Sequence, residues 1–426
     1  MSMIYSALTS IANKISDEFH KTFLFSSIFS ILSTLETEWI GSYFRKFYPD
    51  ENFLKFLNKS YIIKDQIFNP LIVIFLFSIF LLLSLTPVTN SLAITLLIGF
   101  IAFFIGAAIF PRFLLNKNNH VSVEFDRDDM YSIGFCLMIV SIMFFFISIA
   151  TVGGIPILRP SLRYLLKPAF TMPVFLIIPA TCLIASVYLK DHQDEKITRQ
   201  QTRFRFLLLL VIDCAILLTL GYRTPLLASF LIIIMIGYFG NIVSPWEVIV
   251  GALIGICAII GIGYFRSIKE LSLTTTTSPI ASLQNRADFT LHVLNLLDKI
   301  GGTFGLLHGR LLASSIPGSD LGPRMLVGKL IAWRTEVTIT PTLIGQMVVD
   351  FGKVGVAIEM CILGFILGIG FKIMKTTKNY FYIGLYSLIL TYSILGIETG
   401  ILDIQVLAYF IIAIFIYSTY LLKSRN

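Results

Sequence analysis

Apolar residues in this chain gather into runs of roughly 15 to 23 with little or no charge, separated by shorter polar connections. A hydrocarbon layer about 30 Å thick selects that length for helices, because a helix rises only 1.5 Å per residue. The pattern predicts spans near 68–86, 91–110, 130–152, 170–189, 206–220, 226–240, 248–265, 356–374, 380–395 and 402–422. The expected fold is therefore all-α, a polytopic integral membrane bundle of about ten transmembrane helices. Barrel strands alternate apolar and polar residues, whereas Leu71 to Leu85 is apolar almost throughout, so strands are excluded. Around the spans, the chain divides into an N-terminal region (1–64), spans one to seven (65–265), a large external loop (266–355), and the last three spans with a short tail (356–426). In the first region the apolar patch Phe23 to Leu32 is too short to cross comfortably and reads as an interfacial helix.

Composition agrees with the pattern: 56% of residues are hydrophobic and 14% charged, against about a quarter charged in a soluble domain. The net charge of +8 is dispersed among interhelical loops and mixed with acids, which argues for anionic lipid as the partner and against nucleic acid. Cys136, Cys182, Cys214, Cys257 and Cys361 all fall within apolar spans and read as small buried hydrophobes. Residues 1–20 carry Lys14, Asp17, Glu18 and His20, so no cleavable leader is expected and the first span serves as its own insertion signal.

Lys and Arg accumulate on cytoplasmic loops, which sets the orientation. With both termini cytoplasmic, the inner connections hold Arg112, Lys117, Arg127, Lys190, Lys196, Arg199, Arg203, Arg205, Lys375 and Lys378, while the short outer ones hold only Arg159, Arg163, Lys167 and Arg223. The expected location is the plasma membrane, with Arg266 to Gly355 facing outside. Fusion of the two short spans 206–220 and 226–240 into one would reverse everything upstream.

The chain has no P-loop, no GxGxxG after a strand, no HExxH and no CxxC, and His20, His120, His192, His292 and His308 are not spaced as paired ligands, so no cofactor or metal is expected. What stands out is a set of outer cations. Arg159, Arg163 and Lys167 share a loop with Pro156, Pro160 and Pro168; Arg223 interrupts an apolar hairpin; Arg286, Arg310, Arg324 and Arg334 punctuate the large loop. The planar guanidinium fork suits diphosphate and carboxylate, so a lipid diphosphate is the candidate ligand. Against that reading, the loop arginines serve equally as solvated charges or contacts to bulk phospholipid, and Arg223 as a snorkelling side chain. Within the loop, Phe289, Val293, Leu296, Leu297 and Ile300 share one helical face, and His292 follows Arg286 and Asp288 by about a turn, offering a base with neighbours to orient it. Thr338 to Gly345 and Asp350 to Gly355 read as a Gly- and Pro-guided re-entry into the membrane. Gly251 with Gly255, and Gly364 with Gly368 and Gly370, fit close helix packing. Asp213 and Glu359 lie inside spans, where proton coupling competes with plain helix-to-helix hydrogen bonding.

The pattern of many spans and one long, late external loop resembles the oligosaccharide repeat-unit polymerases, the Wzy-type O-antigen polymerases, which are related in architecture to the O-antigen ligases. The residues carrying the resemblance are the turn Gly221-Tyr222-Arg223, the run Asn285 to Phe289, and the segment from Thr340-Pro341-Thr342 to Asp350-Phe351-Gly352. It implies a glycosyltransferase that moves a growing glycan from one polyprenyl or dolichyl diphosphate onto another lipid-linked repeat unit at the outer face, without nucleotide or metal. A chain-length regulator and a flippase are the protein partners it implies. On that reading Arg223, Arg286 and Arg310 stabilise the diphosphate, His292 or Asp288 is the base, with His308 beside Arg310 a competitor, and Arg159, Arg163 and Arg334 contact substrate. A lipid or solute transporter, a polysaccharide ligase and another membrane transferase are the alternatives.

Overall fold

A computed structural model describes residues 67–114, 125–271, 279–316, 318–332 and 338–425. The expected interfacial helix near the N-terminus and Arg334 lie outside the described residues. These form two compact units, one from Glu124–Leu253 and one from Phe68–Val123 with Ile254–Asn426. All regular structure among them is helical.

In the first unit, α3 (Arg127–Val152) starts on the Asp126 side chain, which accepts from Asp128 N, and stops at Gly153, whose φ of 74° closes the helix in the left-handed region. It is followed by α4 (Pro168–Gln193), α5 (Arg199–Thr219), α6 (Arg223–Phe239) and the start of α7 (Pro245–Leu271), within which the unit boundary falls. The α5 helix opens on a capping box between Thr198 and Gln201. Its helices pack around α4, whose apolar stretch is 61% buried against 22% for α3. Packing this close depends on small residues: a Cβ at Gly134 of α3 would sit 2.9 Å from Ile184 Cγ1, and one at Gly251 of α7 would sit 2.8 Å from Ile234 Cδ1.

The second unit contains α1 (Ile72–Leu83), α2 (Asn90–Leu114, with a π turn at Ile105–Ile109), the rest of α7, α8 (Pro279–Gly301), α9 (Arg310–Ala313), α10 (Pro323–Ala332), α11 (Leu343–Thr377), α12 (Tyr380–Thr399) and α13 (Ile404–Arg425). Its axis is the contact of α2 with α11. Cβ atoms at Gly106, Gly364 and Gly368 would fall 2.1, 2.4 and 2.4 Å from the carbonyl oxygens of Cys361, Phe103 and Ala107, so these backbones touch with no room for a side chain.

Among the described residues six helices are long and apolar enough to cross a membrane: α2, α3, α4, α11, α12 and α13. Ile72–Leu83, Arg223–Phe239 and Pro245–Cys257 are shorter apolar stretches. Every predicted span coincides with a helix, and the molecule is a polytopic helical membrane protein. The two spans of the short hairpin remain separate, because Gly221 (φ 79°) turns the chain between them. The largest boundary difference is at α11, which begins at Leu343, upstream of the span predicted at 356–374, and breaks at Gly352, with φ 65° and ψ −157°. The residues before the break form a helical segment of their own.

Candidate functional site

In the first unit, the connection from α3 to α4 folds over the turn between α5 and α6. Ile157 N donates to Thr219 O at 3.1 Å, tying the connection to the end of α5. Pro160 and Pro168 each open a short helical turn, presetting the backbone of a loop rich in cations. The Arg163 guanidinium then lies 5.0 Å from the centre of the Tyr222 ring, and Tyr222 meets Phe175 edge to face, with centroids 5.0 Å apart. Arg223 is the first residue of α6, which has neither an acid in its first turn nor a side-chain cap. Arg163 and Arg223 are partly buried, and Arg159 and Lys167 are exposed. Thus two segments some sixty residues apart bring guanidinium groups to one helix N-terminus, an arrangement that favours phosphate or carboxylate.

In the second unit, α8 docks one polar face on the corner between α1 and α2. A single oxygen of Asp288, Oδ1, accepts from Ser84 Oγ and Leu85 N, both at 2.6 Å, and from Thr86 N at 3.0 Å. The Ser84 hydroxyl, followed by the Thr86 and Leu85 amides, holds this carboxyl below the usual carboxylate range. Two turns on, Asn295 accepts from Thr89 N at 3.2 Å and donates to Pro87 O at 3.0 Å. Beyond it, Thr95 Oγ1 donates to the buried Asp298 Oδ1 at 2.5 Å. The helical spacing of positions 288, 295 and 298 puts these three groups on one face. Asp288 is thereby an anchor, and a carboxylate so stabilised is a weak base. His292 is exposed and makes no hydrogen bond among the described residues, so of the two expected bases it is the available one. Arg286 Nε donates to Glu398 Oε1, and Arg324 pairs with Asp403 at 2.5 Å, both partners lying at the α12–α13 connection.

His308 and Arg310 belong to a different arrangement, built around the break in α11. Leu306 N donates to Val349 O and His308 N to Asp350 O, both at 2.8 Å, satisfying carbonyls that the break releases. In return Lys353 N donates to Gly302 O at 3.2 Å and Val354 N to Thr303 O at 3.3 Å. The Asp350 carboxylate caps α9, accepting from Leu311 N and Leu312 N at 2.9 Å each. His308 and Arg310 are left exposed, with Arg310 in no ion pair among the described residues. Arg286 and Gly301, where the loop toward Arg310 begins, are fifteen residues apart along α8; that is about 22 Å of helix. Arg286 and Arg310 therefore do not gather at one point. Sequence reasoning missed Phe175, Glu398 and Asp403, because nothing in their own segments signals the partner each one meets. Among the described residues no group of three His, Cys, Asp or Glu could hold a metal ion.

A family model described as "Putative O-antigen polymerase" matches residues 66–410. An uncharacterized protein of Methanocaldococcus jannaschii is 26% identical over 331 residues, which cover 77% of this chain and 87% of that protein. No solved structure matches the chain.

Proposed function

Because this chain belongs to the O-antigen polymerase family, we propose that it joins oligosaccharide repeat units carried on a polyprenyl or dolichyl diphosphate, at the outer face of the membrane. The observation that carries the reading is the gathering of Arg163, Tyr222 and Arg223 at one helix N-terminus, within the family match. In the reaction an acceptor hydroxyl attacks the anomeric carbon of the donor glycan, and the bond from that carbon to the diphosphate oxygen breaks with its electron pair leaving on the diphosphate. The hydroxyl proton passes to a base. Arginines already in place stabilise the departing negative charge without reorganising, which is where a low-dielectric site gains most.

A polymerase holds two lipid diphosphates at once, so cations at separate places suit it. We assign Arg159, Arg163 and Arg223 to a diphosphate headgroup, with Arg223 closest to the developing charge. Arg310, beside His308, and Arg286 are the cations assigned in the second unit, and Arg334 remains a proposed substrate contact. His292 is the proposed base and His308 its competitor; Asp288 supports the helix that carries His292. The charge asymmetry of the short loops supports a cytoplasmic position for both termini. A chain-length regulator and a flippase are the proposed protein partners. A ligase that moves the finished chain would share this chemistry and differ only in its acceptor.

The test is the length profile of lipid-linked glycan in cells lacking the gene, and again after its restoration. Single repeat units should accumulate without it, and polymer should return with the intact gene. Arg223→Ala and Arg286→Ala should insert normally and fail to restore polymer. An unchanged glycan ladder on deletion would refute the polymerase reading, whereas full polymer from both variants would refute the site alone.

A further inference from the structure

Three helices of the first unit meet at a carboxyl that has no charged partner among the described residues. Asp213 on α5, Thr181 on α4 and Ser229 on α6 are each 0% exposed. Thr181 Oγ1 donates to Asp213 Oδ1 at 3.0 Å, and Ser229 is the other hydroxyl facing the carboxyl. Two atoms here are buried without a hydrogen-bond partner, Asp213 Oδ2 and Ser229 Oγ. Cys214 is its neighbour on α5, and no cation pairs with the carboxyl among the described residues.

An ionised carboxylate at this depth would hold its charge with only the Thr181 and Ser229 hydroxyls as donors, at a cost of several kcal/mol. An ionised carboxylate could satisfy both orphaned atoms only by accepting from the Ser229 hydroxyl, which leaves the charge itself buried without a cation. A proton on Oδ2 removes the charge and can itself be donated to Ser229 Oγ, so both orphaned atoms are satisfied with no charge left buried.

We propose that Asp213 is a proton-binding site: the folded protein keeps it as a neutral carboxylic acid at neutral pH, where it clasps α4, α5 and α6 through Thr181 and Ser229. The clasp lies about 10 Å along α5 from Leu220 and about 9 Å along α6 from Arg223. It holds the base of the hairpin whose turn carries Tyr222 and Arg223, and Asp213 is thus a positioning residue for that turn. This second role rests on the function proposed above; the protonation does not.

Infrared absorption of the purified full-length chain in lipid nanodiscs at neutral pH separates the two. The wild-type spectrum should contain a carboxylic acid C=O band that Asp213→Asn removes. In Thr181→Val the band should move to higher frequency, because Oδ1 loses its donor, and this variant decides the matter if Asp213→Asn does not fold. Arg223→Ala should leave the band in place. Absence of any band lost in Asp213→Asn, or an unshifted band in Thr181→Val, would overturn the proton site. Loss of the band when sodium replaces potassium would overturn it in favour of a metal cation. For positioning, Asp213→Asn should keep the wild-type polymer profile, since the carboxamide also donates to Ser229, and Asp213→Leu should lose it. Loss of polymer in Asp213→Asn with normal folding would overturn that role.

Discussion

Replacing Tyr222 with leucine removes the surface on which the Arg163 guanidinium rests. The stack at 5.0 Å contributes about 0.5–2 kcal/mol, depending on how far it is desolvated, and the edge contact with Phe175 a further 0.5–1.5 kcal/mol, roughly. Both act before any ligand arrives, holding a long, rotamer-rich side chain at the mouth of α6. Once they are gone, binding itself must order the arginine, and the affinity falls by about 1–3 kcal/mol, or roughly 5- to 150-fold. The assay is a titration of purified protein in nanodiscs with a short-chain polyprenyl diphosphate, comparing wild type, Tyr222→Phe and Tyr222→Leu. Tyr222→Phe keeps both ring contacts and should bind within about threefold of wild type. Wild-type affinity in Tyr222→Leu would refute the claim that the stack organises the anion seat. Equal losses in the two variants would transfer the role from the ring to the phenolic hydroxyl.

Gly364→Ala places a methyl 2.4 Å from Phe103 O, a backbone atom that moves only with its helix, so thermal unfolding in detergent should show a loss of about 1–3 kcal/mol; Gly261→Ala, with nothing within 4 Å, should cost far less. Gly352→Ala meets the backbone of Thr303 at 2.3 Å in a conformation that essentially only glycine adopts, and should displace the loop of His308 and Arg310, abolishing polymer while membrane insertion persists. The depressed Asp288 carboxyl stabilises the fold above the ordinary carboxylate range, near pH 4, and that contribution disappears as pH falls through the lower folded-state value. The stability difference between wild type and Asp288→Asn, measured by denaturation across pH, should therefore be largest at neutral pH and vanish in acid; a difference growing toward low pH would contradict the anchoring. His292→Ala should abolish polymer and His308→Ala preserve it, and the reverse pattern in the glycan ladder would exchange their roles.

The hydrophobic pattern alone made the helices and most of their boundaries legible, because a bilayer imposes a length and an apolarity that each segment satisfies independently of its neighbours. It also marked Gly364 and Gly368 as packing positions, and the helices do meet there with their backbones in contact. Arg223 could be named from its interruption of an apolar hairpin, since charge at membrane depth is expensive wherever the chain goes, and Arg159 and Arg163 from their place in a proline-containing outer loop. The meeting of Arg163 with the Tyr222-Arg223 turn could not be read, nor could the tie from Ile157 to Thr219 that brings the loop over the turn. The same holds for Asp288. Its place beside His292 in the chain suggested a base, while its bonds to Ser84, Leu85 and Thr86, some two hundred residues away, make it an anchor. The break at Gly352 likewise depends on a distant loop that supplies partners for the freed amides and carbonyls. Sequence by itself determined which segments enter the membrane, because that is a transfer of each segment from water to lipid. Tertiary structure decided which polar groups are satisfied and which are left exposed or buried without a partner, because hydrogen bonds and charges are settled by the partners that folding places beside them.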